Sequence, residues 1–284
     1  MTEEEEHFWD FLSEREAVFM QKIMDELGNA QWAHPILEHI AANGGLTRHH
    51  KSLLFELRFG HAVHQQGIAL SYESPGEAQS TLEFGFVCDG QTWRVELMRL
   101  EETQAAQEAT QITEDEGGMK WFRRTLSASA ADRRQSEEGE TLKAVQRICQ
   151  KCESNGQPHK FPMPDDGALH ALLVDFRTFL HGGDVHDRIH VGLGGEFLTK
   201  NLFRRFWDGA LISGVFNKRT KVRGAEHIRE RLHFLGFVNE KEFGDGSFAK
   251  ATEFVANPYL FASEADAKAA LDSWPLKPPF LINA

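Results

Sequence analysis

Two runs of alternating apolar and polar residues, 80–88 and 92–100, predict a β-hairpin in the first third of the chain. They are joined by Asp89-Gly90, and Asp-Gly between alternating runs is a strong signal for a tight two-residue turn. Such a turn fixes the register, because Cys88 must then pair with Gln91. The face that we assign to the core carries three directly opposed pairs: Phe86–Trp93, Phe84–Val95 and Leu82–Leu97.

The other face of this hairpin brings two carboxylates together. The same register sets Glu83 directly across from Glu96 and Thr81 across from Met98. Opposed side chains lie roughly 5 Å apart at Cβ, and like charges at that distance are destabilising. Two arrangements relieve the repulsion. In the first, both carboxylates point into water, which screens their charges. In the second, they share a divalent cation such as Mg²⁺, which binds one or two protein carboxylates.

Apolar residues at helical spacing predict a helix on each side of the hairpin. The first runs from residue 47 to residue 66 and carries Glu56, with the small residue Gly60 one turn further on. The second runs from residue 140 to residue 154. Its polar flank consists of Lys143, Gln146 and Gln150.

The rest of the pattern predicts an α/β protein with a helical N-terminal segment. We assign residues 1–45 to that segment and residues 46–284 to the α/β domain. Residues 101–139 are polar and poor in β-branched residues, which favours an insertion that is partly helical and partly mobile. Strands are predicted at 169–176, 209–216 and 233–238, the first of them buried because its residues are almost all apolar.

This order of elements resembles the PD-(D/E)XK nuclease superfamily, which has the restriction-endonuclease-like fold. The common features are a helix with a glutamate, a hairpin with two acidic positions and a helix bearing Gln or Lys. The match covers about residues 47–180 and depends on Glu56, Glu83 and the Glu-Leu-Met at 96–98. The resemblance implies a mixed central sheet flanked by helices.

It also implies metal-dependent hydrolysis of phosphodiester bonds in nucleic acid, with DNA as the expected substrate. In such a site Glu83 and Glu96 would hold Mg²⁺ or Mn²⁺, and Glu56 would complete the ligand shell directly or through water. A protein of this kind would act in DNA maintenance or defence.

The sequence departs from the family pattern at one position of the strand motif. The motif is acid-x-Lys, and Met98 stands where the lysine is expected, although methionine carries no charge and donates no hydrogen bond. In some branches of the superfamily the lysine lies on the following helix. Lys143 or Lys151 would then replace it, with Gln146 in the role of the helical glutamine. The alternative is a catalytically inactive nuclease fold that serves as a binding or scaffold module.

A net charge of −12 weighs against a nucleic-acid enzyme, because phosphate binding relies on Lys and Arg. Residues 204–231 are nevertheless locally basic, and they would meet a phosphate backbone or form a solvated surface in which arginines pair with Glu226 and Glu230. The candidate nucleic-acid contacts in this stretch are Lys218, Arg219, Lys221 and Arg223.

A second candidate metal site follows the predicted strand at 169–176. Within ten residues it offers four ligand-type side chains, and imidazoles with a carboxylate suit Zn²⁺ or another transition metal. A solvated surface loop has a similar His/Asp/Gly composition, so both interpretations stay open. The four residues, which would make a His/Asp metal hydrolase a third hypothesis, are His181, Asp184, His186 and His190.

Length and composition indicate a protein with a substantial core, since 41% of its 284 residues are hydrophobic. The sequence has no run of 18 apolar residues and no apolar leader, which predicts a cytoplasmic protein without a membrane partner. Three cysteines do not make a disulfide framework. Cys149 and Cys152 form a lone C-x-x-C, for which core packing is favoured over zinc binding. The oligomeric state stays open, and a homodimer is one of the alternatives.

Overall fold

The computed structural model describes residues 12–114, 120–126, 132–164 and 166–282. The helices are α1 Glu14–Glu26, α2 His34–Ala42, α3 Lys51–His64, α4 Gln104–Glu108, α5 Glu137–Lys151, α6 Val185–Gly192, α7 Ala225–Arg231, α8 Ser247–Lys250 and α9 Glu264–Leu271. The strands are β1 Ser71–Pro75, β2 Thr81–Cys88, β3 Gln91–Arg99, β4 Thr110–Glu114, β5 Lys120–Arg124, β6 Glu153–Ser154, β7 Gln157–Pro158, β8 Leu169–Asp175, β9 Phe206–Trp207, β10 Ala210–Leu211, β11 Phe234–Val238, β12 Thr252–Ala256 and β13 Phe280–Leu281.

Within the described part of the chain, seven strands form one mixed sheet in the order β1-β2-β3-β8-β11-β12-β13. β1, β2 and β3 are an antiparallel meander, whereas β3, β8 and β11 run parallel to one another. Parallel neighbours require a crossover connection, and α5 lies in the connection between β3 and β8. The prediction of an α/β protein with a mixed sheet is confirmed.

The hairpin register predicted from Asp89-Gly90 is confirmed over five pairs that end at Phe84–Val95. Both turn residues have positive φ, 50° and 77°, as a primed two-residue turn requires. Beyond that point the N–H of Leu97, which would continue the ladder, donates to Glu83 Oε2 at 3.0 Å. Leu82 belongs to the hydrophobic cluster on the opposite face of the sheet from Leu97, so the predicted pairing of these two leucines is wrong.

Helices cover both faces of the sheet and bury a separate hydrophobic cluster on each. On one face α5 contributes Val145 and Ile148, and on the other α3 contributes Phe55 and Phe59. Cys149 is buried in the α5 cluster with a free thiol, and burial raises its pKa to about 12. Cys152 is buried in the same cluster, so core packing of this C-x-x-C is confirmed.

The N-terminal segment is helical from α1 to α2, as predicted. Apolar residues of both helices pack against α3 in a third cluster that includes Met20, Ile23, Ile36, Ile40 and Leu54. The part of the predicted segment before residue 12 lies outside the described residues.

Two predictions about connecting segments are wrong. The insertion at 101–139 contains α4 as expected, but it also contains the antiparallel pair β4–β5, which its composition did not suggest. The strands themselves contain Thr110, Ile112, Trp121 and Phe122, which have high β-propensity, and Arg124 Nε donates across the pair to Thr110 Oγ1 at 2.8 Å. The predicted strand at 209–216 is reduced to the two residues of β10, paired only with β9, because the chain turns away after Leu211 towards a bridge between Ser213 and Gly194.

A buried ionic network joins α1 to the body of the protein. Glu16 on α1 is 3.0 Å from Arg58, 3.2 Å from Arg177 and 3.3 Å from Lys51. Burial opposes ionisation of Glu16, but attraction to Arg177, Arg58 and Lys51 outweighs it and lowers the pKa of this carboxyl. Glu16 is therefore held as an anion among three cations.

Two further acids complete the network at the carboxyl ends of the central parallel strands. Asp175, the last residue of β8, is 2.6 Å from Arg177. Glu240, shortly after β11, is 2.7 Å from Arg58. Lys51 and Arg58 lie on α3, so the network links α1, α3 and the edge of the sheet.

We expect Glu16→Ala to lower the free energy of unfolding by about 3–5 kcal/mol at pH 7, because it removes the carboxylate shared by three cations and leaves buried Lys51 without its salt-bridge partner. Because the pKa of Glu16 is lowered, its contribution is present above its ordinary pKa of 4.5 and is lost as the pH falls through its lower value in the folded state. Urea unfolding at several pH values measures both effects. Glu38→Ala, at an exposed position of α2, is the control and should change stability by less than about 0.5 kcal/mol. Equal effects of the two substitutions would contradict a structural role for the network.

Candidate active site

Glu96 is a fully buried carboxylate in the middle of β3, with 0% of its surface exposed. In the sheet it lies beside Leu172 of β8. Two ammonium groups contact its Oε1, Lys151 Nζ at 2.8 Å and Lys160 Nζ at 2.9 Å. Burying a carboxylate is costly unless cations compensate it, and these two lysines supply that compensation.

Lys151 reaches Glu96 because it is the last residue of α5. This helix begins at Ser136, whose Oγ accepts a hydrogen bond from the N–H of Gly139 at 3.1 Å. Acidic residues in the first turn suit the positive end of the helix dipole, and a lysine in the last turn suits the negative end. The amphipathic helix packs Val145 and Ile148 against the sheet, and this packing brings its C-terminus to β3.

Lys160 comes from the segment that follows β7, and its backbone is fixed to the turn before β2. Its N–H donates to Ser80 Oγ at 3.1 Å, and its carbonyl accepts from the N–H of Glu77 at 2.8 Å. Its ammonium group also donates to the carbonyl of Thr81 at 2.7 Å. These contacts hold the side chain over Glu96.

Glu83 lies against the same cluster from β2. Its Oε2 accepts from the N–H of Leu97, and its Oε1 is 3.7 Å from Lys151 Nζ. Burial raises the pKa of Glu83 well above 4.5, and the hydrogen bond and charge of Glu96 raise it further against the opposing effect of Lys151. Glu83 therefore keeps its proton to a higher pH than an exposed glutamate.

Glu56 joins the cluster from α3. The hydroxyl of Tyr72 on β1 donates to Glu56 Oε2 at 2.8 Å. Burial raises the pKa of Glu56 to about 7. The hydrogen bond from Tyr72 lowers this pKa, and the charge of Glu96 raises it. Gly60, one turn further along α3, allows the ring of Trp32 to pack against the helix, because a Cβ there would lie 2.3 Å from that ring.

The structure thus brings together four of the residues proposed from the sequence, Glu56, Glu83, Glu96 and Lys151, and adds Lys160. No sequence motif marks Lys160, since it follows a two-residue strand and depends on tertiary contacts for its position. Met98, at the lysine position of the family motif, is partly buried and packs against the α5 cluster.

Lys143 and Gln146 do not join the carboxylates. Lys143 precedes Lys151 by two helical turns, or about 12 Å along the helix axis. Both residues instead line a cavity of about 570 Å³ on the flank of α5, together with Arg147 and Trp207. The structure therefore shows no contact of Lys143 or Gln146 with the carboxylates, and their catalytic roles stay predictions from the sequence.

The four candidate nucleic-acid residues Lys218, Arg219, Lys221 and Arg223 are all exposed. Acidic groups already neutralise two of them, since Arg219 is 3.1 Å from Glu196 and Arg223 is 2.8 Å from Glu153. Lys218 lies 4.5 Å above the ring of Tyr259. This surface consequently offers less free positive charge than its sequence indicates.

The second candidate metal site has structural functions at the three positions whose side chains are described. Asp184 caps α6 through hydrogen bonds from the N–H groups of His186 and Asp187. The ring of His186 stacks on Phe203. His190 Nε2 accepts from the N–H of Arg205 at 3.0 Å, and burial lowers the pKa of this histidine to about 4. The side chain of His181 lies outside the described residues.

Among the side chains that the structure describes, no group of three or more His, Cys, Asp or Glu residues is arranged to hold a metal ion. At the carboxylate cluster, both lysines contact Oε1 of Glu96. A magnesium site needs only one or two protein carboxylates, so the pair Glu83 and Glu96 is sufficient in composition.

No family model, curated protein or solved structure matches the chain. Within the described ranges, no helix is both long and apolar enough to cross a membrane. A functional assignment therefore rests on the chemistry of the site itself.

We expect Glu56→Gln to stabilise the protein at pH 8 by up to about 3 kcal/mol and to leave it unchanged near pH 5. The raised pKa means that folded Glu56 holds a proton between its ordinary value of 4.5 and about 7, so stability falls as the pH rises through that window. Glutamine carries no such charge and still accepts from Tyr72. Urea unfolding at both pH values measures the difference, with exposed Glu38→Gln as the control. A pH-independent effect of Glu56→Gln would contradict the raised pKa.

Proposed function

We propose that this protein is a metal-dependent phosphodiester hydrolase acting on nucleic acid, with DNA as the expected substrate. The observation that carries the proposal is the contact between Glu96 and Lys151. Lys151, on the helix after the hairpin, provides the ammonium group that Met98 in the strand cannot provide. Glu83 and Glu56 adjoin this pair, so the cluster contains the acidic residues and the lysine that the family resemblance requires.

The topology supports a restriction-endonuclease-like fold for this site. A helix with Glu56 precedes an antiparallel meander with Glu83 and Glu96, and α5 then leads to β8, which is parallel to β3. The resemblance to the nuclease superfamily depends on this same order of elements, and the structure arranges them around one mixed sheet.

The residues of the cluster fit a hard divalent cation. Glu83 and Glu96 offer carboxylate oxygens, which Mg²⁺ and Mn²⁺ prefer. Glu96 Oε2 is buried and has no hydrogen-bond donor among the described residues, so it is available to a cation or to the proton of Glu83. A bound ion would supply positive charge for the phosphoryl oxygens and lower the pKa of a water molecule.

The protein groups have different parts in such a reaction. Burial lowers the pKa of Lys151, but the charges of Glu96 and Glu83 outweigh it and leave the pKa raised. Lys151 therefore stays an ammonium group, suited to stabilising negative charge on phosphate rather than to accepting a proton. Glu56, with a pKa of about 7, is the group suited to accepting a proton near neutral pH.

A nuclease fold that only binds its partner is the second candidate. The observation that favours it is the closure of the site, since Glu96 is fully buried and two lysines already satisfy its charge. A stable ion-pair cluster of this kind needs no metal, and the partly buried Met98 packs against the α5 cluster.

We expect the wild type to cleave plasmid or single-stranded DNA with Mg²⁺ or Mn²⁺, and Glu96→Gln and Lys151→Met to reduce the rate by about 100-fold or more. Glutamine keeps the shape of Glu96 but removes its charge, and Met keeps the length of Lys151. Gel assays of single-turnover cleavage measure the rates. Lys268→Met, at an exposed position of α9, is the matched control and should retain the wild-type rate.

Absence of cleavage by the wild type with either metal, in protein that melts cooperatively, would favour the binding module. Cleavage that persists in Glu96→Gln would contradict the proposed site, because a catalyst elsewhere in the sample would then be responsible.

A further inference from the structure

A cavity of about 570 Å³ follows the flank of α5. Lys143, Gln146, Arg147 and Gln150 line it from successive turns of the helix, and Trp207 borders it from the β9–β10 hairpin. Gln150 directly precedes Lys151, which contacts Glu96. Helix α5 therefore carries the cavity along one flank and, at its last residue, the contact to Glu96.

The cavity carries positive charge that is not neutralised by an ion pair. Lys143 has no ion pair among the described residues, and Arg147 donates to the backbone carbonyl of Glu101 at 2.6 Å. Glu140 is the one carboxyl among the described lining residues, against the cations Lys143, Arg147 and Arg134, and burial raises its pKa. Although the whole chain has a net charge of −12, this surface therefore favours an anion.

Two other features of the lining select the chemical class of the ligand. The guanidinium of Arg133 lies over the ring of Trp207, 4.1 Å from its centroid, and the indole is partly exposed, which allows a base to stack on it. The side-chain amides of Gln146 and Gln150 can each donate and accept hydrogen bonds, as the edges of bases require. Cations, amides and an indole together match the phosphate and the base of a nucleotide.

We propose that this cavity binds a single strand of nucleic acid and leads it to Glu83 and Glu96. Delivery of the strand to these carboxylates rests on the proposed hydrolase function, whereas binding of the strand in the cavity does not. The cavity has the volume of a small-ligand site, so it accommodates one or two nucleotides at a time and not a duplex. From Lys143 to Lys151 the helix rises about 12 Å, the length of about three to four stacked nucleotides of one strand.

The test is binding of a fluorescein-labelled 12-nucleotide single strand to the full chain in EDTA, followed by fluorescence anisotropy. Without metal no cleavage takes place, so binding is measured separately from the proposed hydrolysis. We expect Trp207→Ala to weaken binding by about 5-fold or more, the effect of losing one stacked base. We expect Lys143→Ala/Arg147→Ala to reduce the slope of log K against log salt by about 1.4, since each lost phosphate contact on a single strand contributes about 0.7.

Matched controls are available for both substitutions. Phe206 precedes Trp207 on the same short strand, is 52% exposed and does not line the cavity, so Phe206→Ala controls for the hairpin. Lys268→Ala on α9 controls for the loss of an exposed charge. Both control variants should bind within about 2-fold of the wild type, and thermal melting checks that every variant is folded.

Several results would overturn the inference. They are no binding of the strand by the wild type, equal binding by the cavity variants and the controls, tighter binding of the corresponding duplex, or equally effective competition by a free mononucleotide. Loss of binding in the cavity variants would support it even if the wild type failed to cleave DNA with Mg²⁺. In that case the strand-binding cavity would stand and the proposed hydrolysis would fall.

Discussion

A buried charge in the middle of the sheet, Glu96, is the constraint on which the arrangement of this protein depends. A carboxylate removed from water costs several kcal/mol unless cations surround it. Lys151 provides one cation only when α5 packs along the sheet, and Lys160 provides the other only when its backbone is bound to the turn before β2. The pairing of Glu96 therefore couples the hairpin, the crossover helix and the segment after β7 into one unit.

The protein contains two buried clusters of charge with different balances. Around Glu16, three cations face the three carboxylates of Glu16, Asp175 and Glu240, and the pKa of Glu16 is lowered. In the candidate active site three carboxylates share two lysines, and the pKa values of Glu56 and Glu83 are raised. The first balance stabilises the fold. The second leaves Glu56 able to exchange a proton near neutral pH, and perturbed pKa values of this kind are characteristic of functional sites.

Local patterns in the sequence predicted much of the fold and part of the site. The Asp-Gly turn was sufficient for the register from Cys88–Gln91 to Phe84–Val95, and apolar spacing was sufficient for α3 and α5. The register beyond Phe84 could not be predicted, because the side chain of Glu83 replaces a backbone acceptor there. That replacement depends on charge balance in three dimensions and leaves no trace in the alternation of residues.

Tertiary contacts explain the remaining differences. Lys160 is in the site because Ser80 and Glu77 hold its backbone, which no local pattern reveals. Lys143 and Lys151 share one helix, and only the packing of α5 on the sheet determines which of them meets Glu96. Short edge strands such as β13 have too few residues for an alternating pattern to be recognised.

The central claim is that Glu83 and Glu96 form a cation site and that the cation displaces the proton of Glu83 when it binds. Calorimetric titration with Mg²⁺ at pH 6 and pH 8, in buffers of different ionisation enthalpy, tests it most directly. We predict binding that is tighter at pH 8, proton release that is larger at pH 6, and no binding by Glu96→Gln at either pH. Binding by the wild type that is independent of pH and survives in Glu96→Gln, or no binding at all, would contradict the claim.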